Sequence, residues 1–141
     1  MLSNSCKYAI RSILYLAING NEDNKISSKV VADEINVPAA FLAKIFQTLS
    51  REKFICSSKG PNGGFYVTKR ELKIKLYDIV LCIDGNKSIE NCYLGLPSCS
   101  DNKPCCFHSS MKVSKSIFVN EVLEKTIDDY AQDIKEGKSF I

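Results

Sequence analysis

The sequence of 141 residues lacks several features that would assign it to a large class at once. No apolar run approaches the roughly 20 residues that cross a bilayer, so no membrane partner is expected. The partly apolar start is interrupted by Lys7 and Arg11, and no small-residue cleavage site follows. No export signal is expected, and the cytoplasm is the expected location. There is no C-x-x-C redox pair and no H-E-x-x-H, and His108 is the only histidine. Adjacent Cys105 and Cys106 make a poor redox dithiol, because neighbouring residues close a strained ring. The run from Gly60 to Gly64, GPNGG, precedes no Lys-Ser/Thr pair and opens no helix, which excludes a Walker loop. Together these absences argue that the chain is not an enzyme. The seven cysteines are odd in number, and without an export signal they do not read as a disulfide framework.

The net charge of +3 is unevenly spread. Residues 1–75 carry twelve Lys/Arg against six Asp/Glu, whereas residues 76–141 carry seven against ten. A basic half and a mildly acidic half suit one part facing phosphate and another facing protein.

Hydrophobic periodicity supplies the elements. Residues 4–19 read as a helix that is apolar over most of its circumference. Ser27 or Ser28 can cap a second helix, in which Val30, Val31 and Ile35 face the core. Asn36-Val37-Pro38 forces a turn, with Pro38 suited to a first helical position. A third helix then runs to about Lys53, burying Leu42, Ile45, Phe46 and Leu49. Phe54–Ser58 and Phe65–Thr68 are strand-like, joined by a glycine-rich tip. That order is a winged helix-turn-helix, and double-stranded operator DNA is its expected partner. The candidate DNA-facing residues are Ser28 on the second helix, Ala40, Lys44 and Gln47 on the third, and Ser57, Lys59 and Asn62 on the hairpin. Small residues let the backbone approach the major groove, Lys44 and Gln47 reach base edges or phosphates, and Lys59 projects from the wing.

Leu76, Ile79, Val80 and Ile83 form a short amphipathic helix closed by Asp84-Gly85. Residues 86–107 show no periodicity, and a loop of that length in a compact domain is usually functional or disordered. Residues 108–135 again read as one long helix with a broad apolar stripe through Val119, Leu123, Ile127, Tyr130 and Ile134. Such a stripe needs a partner: the economical one is the same helix of a second subunit, and the alternative is packing back on its own domain. The expected fold is therefore mainly α with a small β-hairpin wing. It comprises a winged helix-turn-helix domain at 1–85 (helix-turn-helix about 27–53, wing about 54–68), a cysteine-rich sensor loop at 86–107, a dimerisation helix at 108–135 and a tail at 136–141.

Four cysteines, Cys92, Cys99, Cys105 and Cys106, fall within fifteen residues, and His108 follows them. The pattern C-x6-C-x5-C-x2-H, from Cys92 to His108, points to metal or redox chemistry. Its spacers are longer than the knuckles typical of structural zinc and can wrap an iron–sulfur cluster. An iron–sulfur cluster, zinc or another metal, a metal-free thiol switch and structural thiols all stay open at this point. Cys6, Cys56 and Cys82 lie in helix or strand patterns and read as small core residues.

KYAIRSILYLA near the start, FLAKIFQTL in the third helix, the wing SSKGPNGGFYVT and the segment IKLYDIVLCIDG together resemble the Rrf2-type bacterial winged-helix regulators. That group includes IscR, NsrR and CymR, and the resemblance covers nearly the whole chain. It implies a homodimeric transcription factor, crossed through its C-terminal helices, that binds operator DNA and usually represses. Relatives similar to IscR hold a cluster, with [2Fe–2S] favoured, on three loop cysteines and a histidine. The positions matching that set are Cys92, Cys99, Cys105 and His108. The first spacer is one residue longer than in those relatives, and Cys106 offers a substitute thiolate. NsrR-like relatives take a carboxylate from the first helix of the other subunit, but the matching position here is Lys7, a cation. CymR-like relatives imply an alternative: a cluster-free regulator controlled by a metabolic enzyme or small-molecule partner.

Overall fold

The computed structural model describes residues 2–141. Helix α1 spans Asn4–Asn19, with the Ser3 hydroxyl accepting the Cys6 amide at its start. It runs through the centre of the molecule, burying Cys6, Ala9, Ile13, Leu16 and Ala17, and packs against the second, third, fourth and last helices. A helix apolar on more than half of its circumference can be satisfied only in that way.

Helix α2 (Ser28–Glu34) is capped by Ser27, whose hydroxyl accepts the Val30 amide at 3.2 Å. Val31, Ala32 and Ile35 face the core, but Val30, expected there, is 48% exposed. The helix is only two turns long, and Val30 falls on the side turned away from α1 and α3. Asn36 takes a positive φ of 54° at the turn. Pro38 is the cap of α3 (Ala39–Arg51) and not its first helical residue: its ψ of 122° is extended, and the helix begins at Ala39. Leu42, Ile45, Phe46 and Leu49 are buried as the stripe demands.

The wing is a two-stranded antiparallel hairpin, β1 (Cys56–Ser58) and β2 (Gly64–Tyr66), with Ser57 opposite Phe65. Its strands are shorter than the apolar runs suggest, because Phe54 and Ile55 close the turn out of α3 and pack inward. Phe65 also exchanges two backbone hydrogen bonds with Ile26, at 2.8 and 2.9 Å, so the segment before α2 acts as a one-residue third strand. At the tip, a Cβ on Gly63 would lie 2.3 Å from the Ser58 carbonyl oxygen, so only glycine closes this turn.

The buried Glu71 ties the wing to the domain. Its carboxylate accepts the Thr68 amide at 2.8 Å and the Thr68 hydroxyl at 2.6 Å. Burial alone would push this carboxyl up, but the Thr68 bonds and the Cys56 thiol outweigh it and hold it below its ordinary value of 4.5. A depressed carboxylate stabilises the fold above its unfolded value and loses that contribution as pH falls through the folded one. Glu71→Gln should therefore cost about 1 kcal/mol at pH 7. It should also flatten the fall in stability below pH 4.5, measured as urea midpoints across that range.

Helix α4 (Leu76–Asp84) buries Leu76, Ile79 and Val80. A one-turn helix α5 (Lys87–Glu90) then opens the segment for which no regular structure was expected. The expected single helix at 108–135 is instead two helices, α6 (His108–Ile117) and α7 (Ile127–Lys135). A π-helical turn, Phe118–Leu123, and a break at residues 124–126 separate them. Thr126 is extended, with ψ 165°, and forms a reciprocal capping box with Asp129. Strand-like backbone bonds complete the break: Leu76 donates to the Lys125 carbonyl and Ile127 to that of Ile74. A cap and a strand contact together outcompete continuation of the helix. As a result α7 folds back onto α1, with Leu123, Ile127 and Ala131 fully buried in the domain core. Val113 and Ile117 of α6 remain more than half exposed. Among the described residues, no helix is long and apolar enough to cross a membrane.

Candidate metal centre and nucleic-acid interface

Two separate sets of residues stand out. On α3, Ala40, Lys44 and Gln47 are exposed, opposite the buried stripe. On the hairpin, Ser57, Lys59 and Asn62 are exposed as well, whereas Ser28 at the start of α2 is half-buried. Helix and wing are held in fixed relation by two contacts. The Phe46 and Phe65 rings meet edge to face at 4.7 Å, and the Ser50 and Ser57 hydroxyls lie 2.9 Å apart. The second contact puts Ser57 in a structural role besides any contact with a ligand.

The other set lies at the foot of α6. The segment between α5 and α6 turns back on itself at Gly95 and through a Ser100–Lys103 bridge. This folding brings the sulfurs of Cys92, Cys99 and Cys105 within 4.8 Å of one another. Cys92 Sγ is 3.7 Å from Cys105 Sγ, and Cys99 Sγ is 3.2 Å from His108 Nδ1. His108 stands beside Cys99 and lies outside the mutually close trio. Its other nitrogen, Nε2, meets Asp101 Oδ1 at 2.8 Å, and Lys112 grips the same carboxylate with contacts of 2.7 and 2.8 Å. Cys106, the substitute thiolate of the sequence pattern, is exposed and does not join the trio. The chain turns into α6 at this point, with the His108 amide donating to the Cys105 carbonyl at 3.0 Å and Cys106 left exposed in the turn.

The thiols do not share one acidity. The amides of Leu96 and Leu94 draw the Cys92 thiol down to about 7. The Cys105 amide favours the Cys99 thiolate too, but burial and the neighbouring sulfurs of Cys105 and Cys92 outweigh it and leave Cys99 raised. Three thiolates this close repel one another, so full ionisation of the trio requires a cation among them. Two thiolates on one tetrahedral metal with bonds near 2.3 Å stand about 3.8 Å apart, close to the Cys92–Cys105 spacing. Soft sulfurs with one imidazole nitrogen suit zinc or an iron–sulfur cluster and do not suit calcium or magnesium. The donor set therefore fits such a group. By contrast, Cys6 is fully buried in the core and its thiol is pushed up to about 12, chiefly by burial. Cys56 and Cys82, expected in the core, are only half-buried, at its edge.

A family model of iron-dependent transcriptional regulators, Rrf2, matches residues 2–133. The chain belongs to the Rrf2 family. A putative HTH-type transcriptional regulator of Aquifex aeolicus is 31% identical over 131 residues, covering 92% of this chain and 90% of that protein. Protein aau3 of Rhizobium meliloti is 27% identical, covering 91% and 82%. Among solved structures, CymR, the global cysteine regulator of B. subtilis, superposes with a TM-score of 0.72 at 21% identity, covering 94% of this chain and 96% of that one. T. potens IscR superposes with a TM-score of 0.71 at 24% identity, covering 100% and 93%. These two likenesses establish the fold: the mainly helical, winged architecture of Rrf2 regulators.

Within this Rrf2 protein, sequence reasoning missed Asp101 and Lys112. Asp101 sits in the polar SDNKP turn, and nothing in its local pattern marks it as the partner of a histidine seven residues on. The signal was present only as chemistry, because a ligating histidine needs an acceptor for its second nitrogen.

Proposed function

We propose that this Rrf2 regulator is a dimeric, sequence-specific DNA-binding protein, acting mainly as a repressor. In this reading its grip on the operator follows the state of the loop from Cys92 to His108. The observation that carries it is the convergence of three thiols and an imidazole, backed by Asp101, directly at the start of α6. Cys92, Cys99, Cys105 and His108 would hold an iron–sulfur cluster. With Cys92 close to Cys105 and Cys99 close to His108, these residues would supply four donors to a [2Fe–2S] cluster. Such a group supplies redox-sensitive, chemically labile charge at the loop. The likeness in fold to CymR favours a second, cluster-free reading, and iron and sulfide content of the purified protein separates the two.

The relay lies in the chain itself. With its four ligands clamped, the loop holds the first turn of α6 through His108; released, it lets that turn loosen. Helix α6 presents Val113 and Ile117 for a second subunit, so a shift in α6 would change the spacing of the two recognition helices. Lys44 and Gln47 would enter the major groove, with Lys59 and Asn62 on the flanking backbone or minor groove. Ala40 and Ser28 would allow close approach to the duplex.

Binding should then weaken steeply with salt. Lys59→Ala and Lys44→Ala should each flatten the log-affinity against log-salt slope by about one unit, the share of a single lysine–phosphate pair. Fluorescence anisotropy with an operator selected from a random library measures this. Slopes unchanged in both variants would exclude these phosphate pairs. Equal operator affinity of metal-loaded and chelator-treated protein would rule out the switch while leaving DNA binding intact.

A further inference from the structure

One carboxylate, that of Asp101, is held from two positions on α6. Its Oδ1 meets His108 Nε2 at 2.8 Å, and Lys112 Nζ lies 2.8 Å from Oδ1 and 2.7 Å from Oδ2. His108 and Lys112 are one helical turn apart, so the helix presents imidazole and ammonium on the same face. The main chain of Asp101 is placed separately, by the turn that the Ser100–Lys103 bridge closes. That turn lies between Cys99 and Cys105 in the chain, so Asp101 ties the middle of the sulfur-bearing loop to α6.

A carboxylate only accepts hydrogen bonds, so the contact with Oδ1 places a proton on Nε2. In the neutral ring Nδ1 then keeps its lone pair, and it faces Cys99 Sγ at 3.2 Å. Asp101 alone does not secure that orientation. Its side chain is 67% exposed, and water competes for a carboxylate that a single hydrogen bond holds. The Lys112 ammonium removes this freedom by taking both oxygens. Lys112 is itself 62% exposed, so the pair adds little to stability. Its effect is on geometry.

We propose that Lys112 is a positioning residue: it pins the Asp101 carboxylate on His108 Nε2 and so turns Nδ1 toward the sulfur trio. Lys115 makes the comparison. It lies three residues further along α6 and lines the same cleft, but it donates to the main-chain carbonyls of Glu90 and Asn91. The positioning of the ring stands on these contacts alone; only its use in metal binding rests on the reading given under Proposed function.

His108 is the only histidine, so nitrogen–proton correlation spectra of the untagged full chain report a single imidazole. Reduced, chelator-treated wild type should show a solvent-protected Nε2–H signal. Lys112→Met and Asp101→Ala should lose it. Lys112→Arg, whose guanidinium can also grip both oxygens, should keep it, and so should Lys115→Met. Cobalt(II), titrated into the same proteins and followed by visible absorption, reads the consequence. Lys112→Met should weaken cobalt binding about tenfold, and Lys112→Arg should recover most of that loss. In an Asp101→Ala background Lys112→Met should add nothing, because the lysine acts through that carboxylate. A protected signal or an unchanged cobalt affinity in Lys112→Met would overturn the proposal. So would a wild type without the signal, loss of the signal in Lys115→Met, or additive losses in the double variant. Wild type that keeps the signal but takes up no cobalt would defeat the metal reading and leave the positioning of His108 standing.

Discussion

Protein purified without oxygen should carry iron and sulfide in equal amounts, and Cys99→Ser should remove both. Cys99 is the sulfur that touches His108 and also closes the trio with Cys92 and Cys105. Serine keeps the size but not the soft, ionisable donor, and the carboxylates that share the cleft, Glu90 and Asp101, are hard oxygen donors that do not replace a thiolate for a cluster. Cys106 is exposed and stands outside the close trio, so it does not replace Cys99 in this arrangement. Metal content per protomer should therefore fall to near zero in Cys99→Ser, Cys92→Ser and Cys105→Ser, and Cys106→Ser should retain it. Asp101→Ala should give a graded result, lowering metal affinity roughly 10–100-fold, because it orients the histidine without ligating. Visible absorption with iron, zinc and sulfide analysis reads all of these. Zinc without sulfide would replace the cluster by a single ion on the same residues. Colourless, metal-free protein with normal operator binding would favour the cluster-free alternative.

The second large effect concerns the scaffold of the DNA-reading unit. Phe46 is the largest fully buried side chain, and its ring meets Phe65 of the wing at 4.7 Å. Phe46→Ala should cost about 3–5 kcal/mol, the forfeited transfer energy plus the cavity left behind. Against total stabilities of about 5–15 kcal/mol, that is a large share. The deletion also removes one of the two contacts that fix the wing to α3, so on the proposed reading operator affinity should drop even where the variant remains folded. Urea unfolding beside anisotropy at low temperature separates the two consequences. Phe140→Ala makes the control: that ring is 95% exposed, and its removal should stay within about 0.5 kcal/mol. A Phe46→Ala protein with unchanged urea midpoint would contradict the packing described for α3.

Some of this architecture was legible because it repeats at short range. The periods of α1 and α3 are local, so Ile13, Leu16, Leu42, Phe46 and Leu49 could be placed in the core from spacing alone. The wing was legible for a similar reason, since the Gly60–Gly64 tip supplies the positive-φ and Cβ-free positions that a tight turn needs. The cysteine cluster was visible too, because Cys92, Cys99, Cys105 and His108 are close along the chain and chemically alike.

Other features were written in the sequence but concealed by a stronger signal. The apolar stripe from Val119 to Ile134 continues at helical spacing straight through Thr126, and it hid the Thr126–Asp129 capping box. Local spacing predicts one long helix. The decision went the other way because residues 125–127 also exchange backbone bonds with Ile74 and Leu76, some fifty residues away in the chain. No local pattern reports such a partner. Val30 misled for a related reason: helical spacing assigns faces, but a two-turn helix does not have enough core to cover each apolar residue it carries.

The helix-turn-helix, the wing and the run of candidate ligands Cys92, Cys99, Cys105 and His108 were legible along the chain, because each depends on residues near one another in it. It took the packed chain to place α7 in the core, to set Asp101 against His108 and to leave Cys106 exposed. Helix α7 reaches α1 across more than a hundred residues, whereas Asp101 and His108 are only seven apart and meet because the loop turns back through the Ser100–Lys103 bridge. The burial and hydrogen bonding that hold them are settled only when the whole chain has packed around α1.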